Sequence, residues 1–149
     1  MPAPALGLDP RDTAGRNSSV TRPDTKVVSY QYDAASNRTR LTWPDAFFVT
    51  YAYDAINRLT SVSQSGTTTL ATYSYDAASR RTGLTYGNAK TVAYSYTANN
   101  DLTNLNHTFT SATSNFTYTY NNVHQRTSQT ASNVANHYAP PVVASAASY

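Results

Sequence analysis

The sequence contains no cysteine and no glutamate, and each absence narrows what the chain can do. Without Cys there is no disulfide framework, no thiolate zinc site and no thiol nucleophile. All eight acidic residues are Asp. Long solvated helices draw on Glu, Lys, Leu and Ala, so helical bundles and coiled coils are disfavoured. Charge is also scarce. Lys and Arg number 11 against 8 Asp, for a net charge of +3 with only 13% of residues charged. No dense basic block results, which argues against a nucleic-acid partner. No apolar run approaches the ~20 residues needed to span a bilayer. The opening Met1-Pro-Ala-Pro-Ala-Leu6 lacks the basic and apolar regions of a signal peptide. A chain of 149 residues fits one domain or one array of small repeats.

What is plentiful is Tyr, Thr, Ser, Asn and Ala, arranged in repeats. Tyr30-Gln-Tyr32-Asp33-Ala-Ala-Ser-Asn-Arg38-Thr39 returns as Tyr51-Ala-Tyr53-Asp54-Ala-Ile-Asn-Arg58-Leu-Thr60 and as Tyr73-Ser-Tyr75-Asp76-Ala-Ala-Ser-Arg80-Arg81-Thr82. Weaker copies are Tyr94-Ser-Tyr96-Thr97, Tyr118-Thr-Tyr120-Asn121 and, without tyrosines, Asp12-Thr-Ala-Gly15-Arg16. The anchor positions are therefore 12, 33, 54, 76, 97 and 121, at intervals of 21, 21, 22, 21 and 24.

Offsets from the anchor show strand periodicity, in which residues i and i+2 share a face. Tyrosines stand one and three residues before it in five copies. Six residues after it is a hydroxyl in every copy: Ser18, Thr39, Thr60, Thr82, Thr103 and Thr127. Eight after it stand Val20, Leu41, Val62, Leu84 and Leu105, with Gln129 in the last copy. Each Tyr pair is expected on one side of a strand, and each Thr/Leu pair together on one side of the next. The anchor opens a polar turn, since an Asp carboxylate accepts hydrogen bonds from backbone just ahead of it. Three residues on stand Gly15, Ser36, Asn57, Ser79, Asn100 and His124, mostly types that tolerate the left-handed conformation. A second set of turns is marked by Pro23-Asp24, Pro44-Asp45, Ser65-Gly66 and Gly87-Asn88. Each repeat thus reads as strand, polar turn, strand, tight turn, and the chain as an all-β meander of about a dozen short strands.

Candidate chemistry is thin. The recurrent Asp and Arg read as a turn cap in which Arg pairs with Asp or a nearby carbonyl, because one active site does not need six copies. The histidines His107, His124 and His137 have no ligand-like spacing, so no metal site is expected. The carboxylates recur about 21 residues apart rather than in pairs, and there is no Gly-x-Ser-x-Gly elbow and no Gly-rich phosphate loop. The sequence offers no catalytic residue, no cofactor and no metal. The tyrosines would form a ladder across the sheet, either as packing or as a platform on which glycan rings stack. The Asn-x-Ser/Thr sequons at Asn17, Asn37, Asn106 and Asn115 are expected by chance in so Asn- and Thr-rich a chain.

The Tyr-Asp…Arg pattern at Tyr32-Asp33…Arg38, Tyr53-Asp54…Arg58 and Tyr75-Asp76…Arg80-Arg81 resembles the YD repeat of Rhs proteins, of the cocoon-forming toxin-complex components and of teneurins. The resemblance covers positions 9 to about 130. It implies β-hairpins that wind into a spiral sheet and close as a hollow shell, around a toxin in bacterial members and within a cell-surface receptor in animals. Family cores are far longer than this chain, and six hairpins cannot close a cavity. The copies decay toward both ends: Arg11 replaces a tyrosine, and Thr97 and Asp101 replace Asp and Arg.

The expected architecture is therefore all-β, about six antiparallel hairpins in one curved sheet spanning 11–134. Pro-, Ala- and Ser-rich flanks at 1–10 and 135–149 are candidates for disorder or for covering the sheet edges. The expected function is structural and non-catalytic, a wall segment of a toxin-enclosing or cell-surface shell that is secreted or displayed on a bacterial surface. Its expected partners are neighbouring repeats or the toxin cargo. The alternative is a free-standing extracellular module that binds glycans or proteins through its tyrosine face.

Overall fold

The computed structural model describes residues 9–110 and 112–132, and these form eleven antiparallel strands with no helix. The strands are β1 (Ser19–Thr21), β2 (Val27–Tyr32), β3 (Arg38–Thr42), β4 (Phe48–Tyr53), β5 (Leu59–Gln64), β6 (Thr68–Tyr75), β7 (Arg81–Tyr86), β8 (Thr91–Tyr96), β9 (Leu102–Thr108), β10 (Thr113–Tyr120) and β11 (Arg126–Ser132). They lie in one open, curved sheet in sequence order, each strand paired with the next. Residues 1–8 of the expected N-terminal flank and the whole expected tail 135–149 lie outside the described residues.

Tertiary structure follows from the period of two. Val28, Tyr30 and Tyr32 alternate along β2 onto one face, and Val49, Tyr51 and Tyr53 do the same on β4. The cross-strand partners Tyr30↔Leu41, Tyr51↔Val62, Tyr73↔Leu84 and Tyr94↔Leu105 put the leucines and valines of the return strands on that face as well. Its base holds every buried hydrophobic side chain of the described residues: Val28, Val49, Ala71, Leu84 and Val92. Ala71, Leu84 and Val92 form a cluster against which Tyr73, Tyr94 and Leu105 pack. No second layer of described structure lies over this face. The core is a strip one residue deep, whereas most domains bury apolar faces between two layers.

After five of the six anchors, the hydroxyl six residues on does not share a face with the residue two further along, contrary to the period read from sequence. Register shifts fall between Gln31 and Tyr32, Ala52 and Tyr53, Ser74 and Tyr75, Ser95 and Tyr96, and Thr119 and Tyr120. In each case the return strand carries one extra residue, and it is this hydroxyl: Thr39, Thr60, Thr82, Thr103 or Thr127. A β-bulge puts two residues opposite one and so breaks the alternation. Thr82 Oγ1 accordingly donates to Ser74 Oγ at 3.2 Å, and Thr127 Oγ1 lies 2.8 Å from Thr119 Oγ1, both on the face away from the tyrosines.

The turns are as the residues three after the anchor anticipate. Gly15, Ser36, Asn57, Ser79, Asn100 and His124 all have φ between 61° and 78°. In each, the anchor N–H donates to the carbonyl four residues on, and the left-handed residue donates back to the anchor carbonyl. The second set repeats this geometry at 22–26, 43–47 and 86–90, with Thr25, Ala46 and Ala89 left-handed. Ser65-Gly66 instead makes a two-residue turn with both φ positive, the geometry that matches strand twist. The turn between β9 and β10, closed by Phe109 N–H to the Ala112 carbonyl, carries no Pro or Gly and is not marked in the sequence.

Candidate functional site

The anchor turns line one edge of the sheet, and there the repeated polar residues act between repeats. Within a turn, the anchor side chain caps its own backbone. Asp54 Oδ1 accepts the amides of Ile56 (3.1 Å) and Arg58 (2.9 Å), and Asp12 Oδ1 those of Ala14 and Arg16. The residue four after the anchor closes the turn from its other side: Arg16, Arg58 and Arg80 each place Nε 2.7 Å from the anchor Oδ2.

The far end of each guanidinium then crosses to the next repeat. Arg16 Nη1 donates to the carbonyl of Asp33 (2.8 Å) and to Ser36 Oγ (3.1 Å). Arg58 does the same to Asp76 and Ser79, both at 3.2 Å, and Arg80 to the Thr97 carbonyl (2.8 Å) and Asn100 Oδ1 (3.0 Å). Each guanidinium also covers the ring of the next repeat's tyrosine, Tyr32, Tyr75 or Tyr96, at 4.6–4.8 Å from its centre. The two remaining junctions keep the contact with other chemistry. Asn37 Nδ2 bonds Asp33 Oδ2 and reaches Asn57 Oδ1 at 2.8 Å. Asp101 Oδ2 lies 2.9 Å from His124 Nδ1. Every junction between successive anchor turns is thus clasped by the residue at anchor+4 meeting the left-handed residue of the next repeat.

Tyrosines tie the same junctions from the sheet face. The hydroxyls of Tyr53, Tyr75, Tyr96 and Tyr120 donate to the carbonyls of Arg38, Leu59, Arg81 and Leu102 in the preceding repeat, at 2.8–3.0 Å. Burial holds the Tyr53 and Tyr96 phenols above their ordinary range. The anchors shift the other way. Backbone amide donation from Arg58 and Arg80 leads in holding Asp54 and Asp76 below the usual carboxylate range, and the Asn37 side-chain amide leads for Asp33. At Asp12 the burial that opposes ionisation is outweighed by hydrogen bonds from Arg16 and Ala14.

Several sequence expectations are refined by this geometry. The capping role of Asp and the Asp–Arg pairing are found together, but Arg38 is not the partner of Asp33. It sits one residue too far along, stacked over Tyr51 at 4.9 Å, and Asn37 takes the clasp position. Arg81 and Arg126 likewise lie over Tyr73 and Tyr118. The fifth copy has not simply lost its pair: Thr97 Oγ1 accepts the Asp101 amide, and Asp101 joins His124. That clasp borders a shallow concavity of about 410 Å³ in which the acid and the imidazole are bonded to one another. No group of three or more His or Asp that could hold a metal occurs among the described residues. All ten repeat tyrosines are half-buried, and six carry a guanidinium over one ring face, which leaves little free aromatic surface for glycan stacking. Among the sequons, the Oδ1 atoms of Asn17, Asn106 and Asn115 are buried, and Asn37 Nδ2 is engaged in its clasp. No helix among the described residues is long and apolar enough to cross a membrane.

A search of curated proteins finds no match. Among solved structures, the sheet is similar to one in the TcdB2-TccC3-TEV crystal structure, with a TM-score of 0.70 and 15% identity over 84% of this chain. The TcdB2-TccC3-Cdc42 crystal structure matches with a TM-score of 0.64 and 18% identity over 71% of the chain. The Tc holotoxin pore of Photorhabdus luminescens gives a TM-score of 0.64 and 17% identity over 81%. This chain spans only 5–7% of the length of those chains, and at such identities the likeness is one of fold. The sequence profile described as RHS Repeat matches residues 11–46 and 53–91, just over half of the chain, so the chain belongs to the RHS repeat family.

Proposed function

We propose that the chain is a structural, non-catalytic stretch of shell wall, one that would stand with further repeats around a cargo outside the producing cell. The observation that carries this is the combination of a single-layer sheet with a clasp at every repeat junction. A wall must be thin and must transmit its curvature from one hairpin to the next. Here the apolar strip is one residue deep, and the polar side chains are committed to joining repeats rather than to a substrate. Carboxylates fixed by turn amides and arginines fixed by carboxylates are poor acids, bases or nucleophiles. The resemblance in fold to pieces of TcdB2-TccC3 chains supports the same reading.

Thermal unfolding by circular dichroism, joined to fluorescence titration of Trp43 and the tyrosines against a glycan panel, tests it. In an array where each repeat leans on its neighbours, the isolated chain should melt broadly, and adding repeats should sharpen and raise the transition. The titrations should be flat. A sharp melt unaffected by added repeats, with a saturable glycan response, would replace the wall by a binding module.

A further inference from the structure

The eleven strands hold four charged residues, all of them arginine, and no acid. Arg40 lies on the face away from the tyrosines, over the Phe48 ring at 3.6 Å. The other three stand five residues after an anchor in every second repeat: Arg38, Arg81 and Arg126, with Leu59 and Leu102 in the repeats between. Their cross-strand partners Tyr32, Tyr75 and Tyr120 place these arginines on the tyrosine face, as Tyr53 and Tyr96 place the two leucines. Arg38 and Arg81 are exposed. The guanidiniums lie over the rings of Tyr51, Tyr73 and Tyr118. A guanidinium held flat on a ring keeps N–H groups along its edge for a further acceptor. Unlike Arg16, Arg58 and Arg80, none of the three has a carboxylate within ion-pair distance among the described residues.

We infer that the tyrosine face docks a separate, extended polypeptide segment whose carboxylates match the spacing of these arginines, with apolar residues between them. Charge complementarity sets the sign of the partner. All eight acids of the chain stand outside the strands, and none falls in 1–8 or 133–149, so the chain has no further carboxylate to bring to this face. Spacing sets the form of the partner. Arg38 on β3 and Arg81 on β7 are four strands apart, about 19 Å along the sheet. An extended chain crossing the strands covers that distance in about six residues. Six is even, so both carboxylates leave the same side of the segment. Between the arginines lie half-buried tyrosines and leucines with no described layer over them. A nucleic acid, with its closely spaced phosphates, would set most of its charge over this apolar strip without partners. A polypeptide can place apolar side chains there instead. This contact goes beyond the wall reading and does not depend on it, because the arginines and the strip between them belong to the sheet itself.

The test is fluorescence anisotropy of dye-labelled synthetic peptides titrated with the full chain. In the first peptide Glu recurs at every sixth residue among Val, Thr and Ser. The second has Lys in place of each Glu, and the third gathers the same glutamates into one block. The first should bind saturably, the second should show no saturable change, and the third should bind about threefold or more weakly than the first. Arg38→Gln and Arg81→Gln should each weaken the first peptide by about threefold or more, with unchanged circular dichroism spectra. Arg22→Gln, in a turn of the second set, removes the same charge and should leave binding unchanged. No saturable binding of the first peptide overturns the inference, as does equal binding of the first and third. Equal losses from Arg22→Gln and Arg81→Gln would reduce the contact to net charge and overturn it too. An oligothymidylate that binds more tightly than the first peptide would replace the polypeptide by nucleic acid. Should an arginine variant fail to fold, the contrast among the peptides on the wild-type chain decides alone. The melts and glycan titrations that test the wall can come out either way without altering these outcomes.

Discussion

At the scale of single residues, position within the repeat matters more than residue type. Arg58 and Arg38 are both arginines beside a tyrosine ring, yet Arg58 also holds Asp54, the Asp76 carbonyl and Ser79, while Arg38 stacks on Tyr51 with a long 3.4 Å bond to its hydroxyl. The planar fork of the guanidinium makes contacts in both repeats at once, and a lysine ammonium cannot reproduce that geometry. Arg58→Lys is therefore expected to lower the melting temperature by roughly 3–6 °C, on the scale of a domain of this size. Arg38→Gln should lower it by clearly less, because only an exposed stacking contact and one long bond to a hydroxyl are lost. Circular dichroism melts of the two variants side by side check this. Equal losses would mean that the clasp is no more than another surface arginine contact.

At the scale of the element, the hairpin frame is legible in the sequence because its signals are local. Paired tyrosines, an Asx anchor and a left-handed residue all fall within a few positions, and each has a backbone consequence. The clasp is less legible because its partners lie 20–23 residues apart and its chemistry changes at each junction. The pairs Arg16–Ser36, Asn37–Asn57, Arg58–Ser79, Arg80–Asn100 and Asp101–His124 have no common residue type, only complementary hydrogen bonding. That complementarity at one repeat spacing is the signal that could have found them. The bulge was hidden for a different reason: a conserved spacing from the anchor looks the same whether or not the pleat is continuous, and only cross-strand register separates Thr82 from the face of Leu84.

If the clasp is a transferable unit, the fifth junction can be rewritten as the fourth. Thr97→Asp, Asp101→Arg and His124→Asn together recreate the cap, the arginine and the left-handed acceptor found around Asp76, Arg80 and Asn100. The triple variant should melt a few degrees above the wild type. Asp101→Arg alone should melt below it, since the new arginine has no anchor carboxylate to hold it and the Asp101–His124 contact is lost. Non-additivity of this sign is the mark of residues acting as one network. Additive single effects in the melts would show the clasp to be independent surface contacts.

At the scale of the whole molecule, the same cap repeated along one edge makes the sheet collectively sensitive to acid. Asp12, Asp33, Asp54 and Asp76 all ionise more readily in the fold than the ordinary carboxyl value of 3.8, chiefly through turn amides or the Asn37 side chain except at Asp12, where these contacts overcome burial. A carboxyl with a lowered folded pKa contributes stability that is fully present above its unfolded value and is lost as pH falls through the folded one. The four contributions therefore fade over one window, below about pH 4, and in an array each weakened turn also loosens the repeat beside it. The melting temperature should fall steeply there. A variant with all four anchors changed to Asn, which keeps an oxygen for the turn amides but cannot titrate, should start from a lower plateau at neutral pH and show a much shallower acid slope. An unchanged slope in that variant would separate the stability of the sheet from the row of caps along its edge.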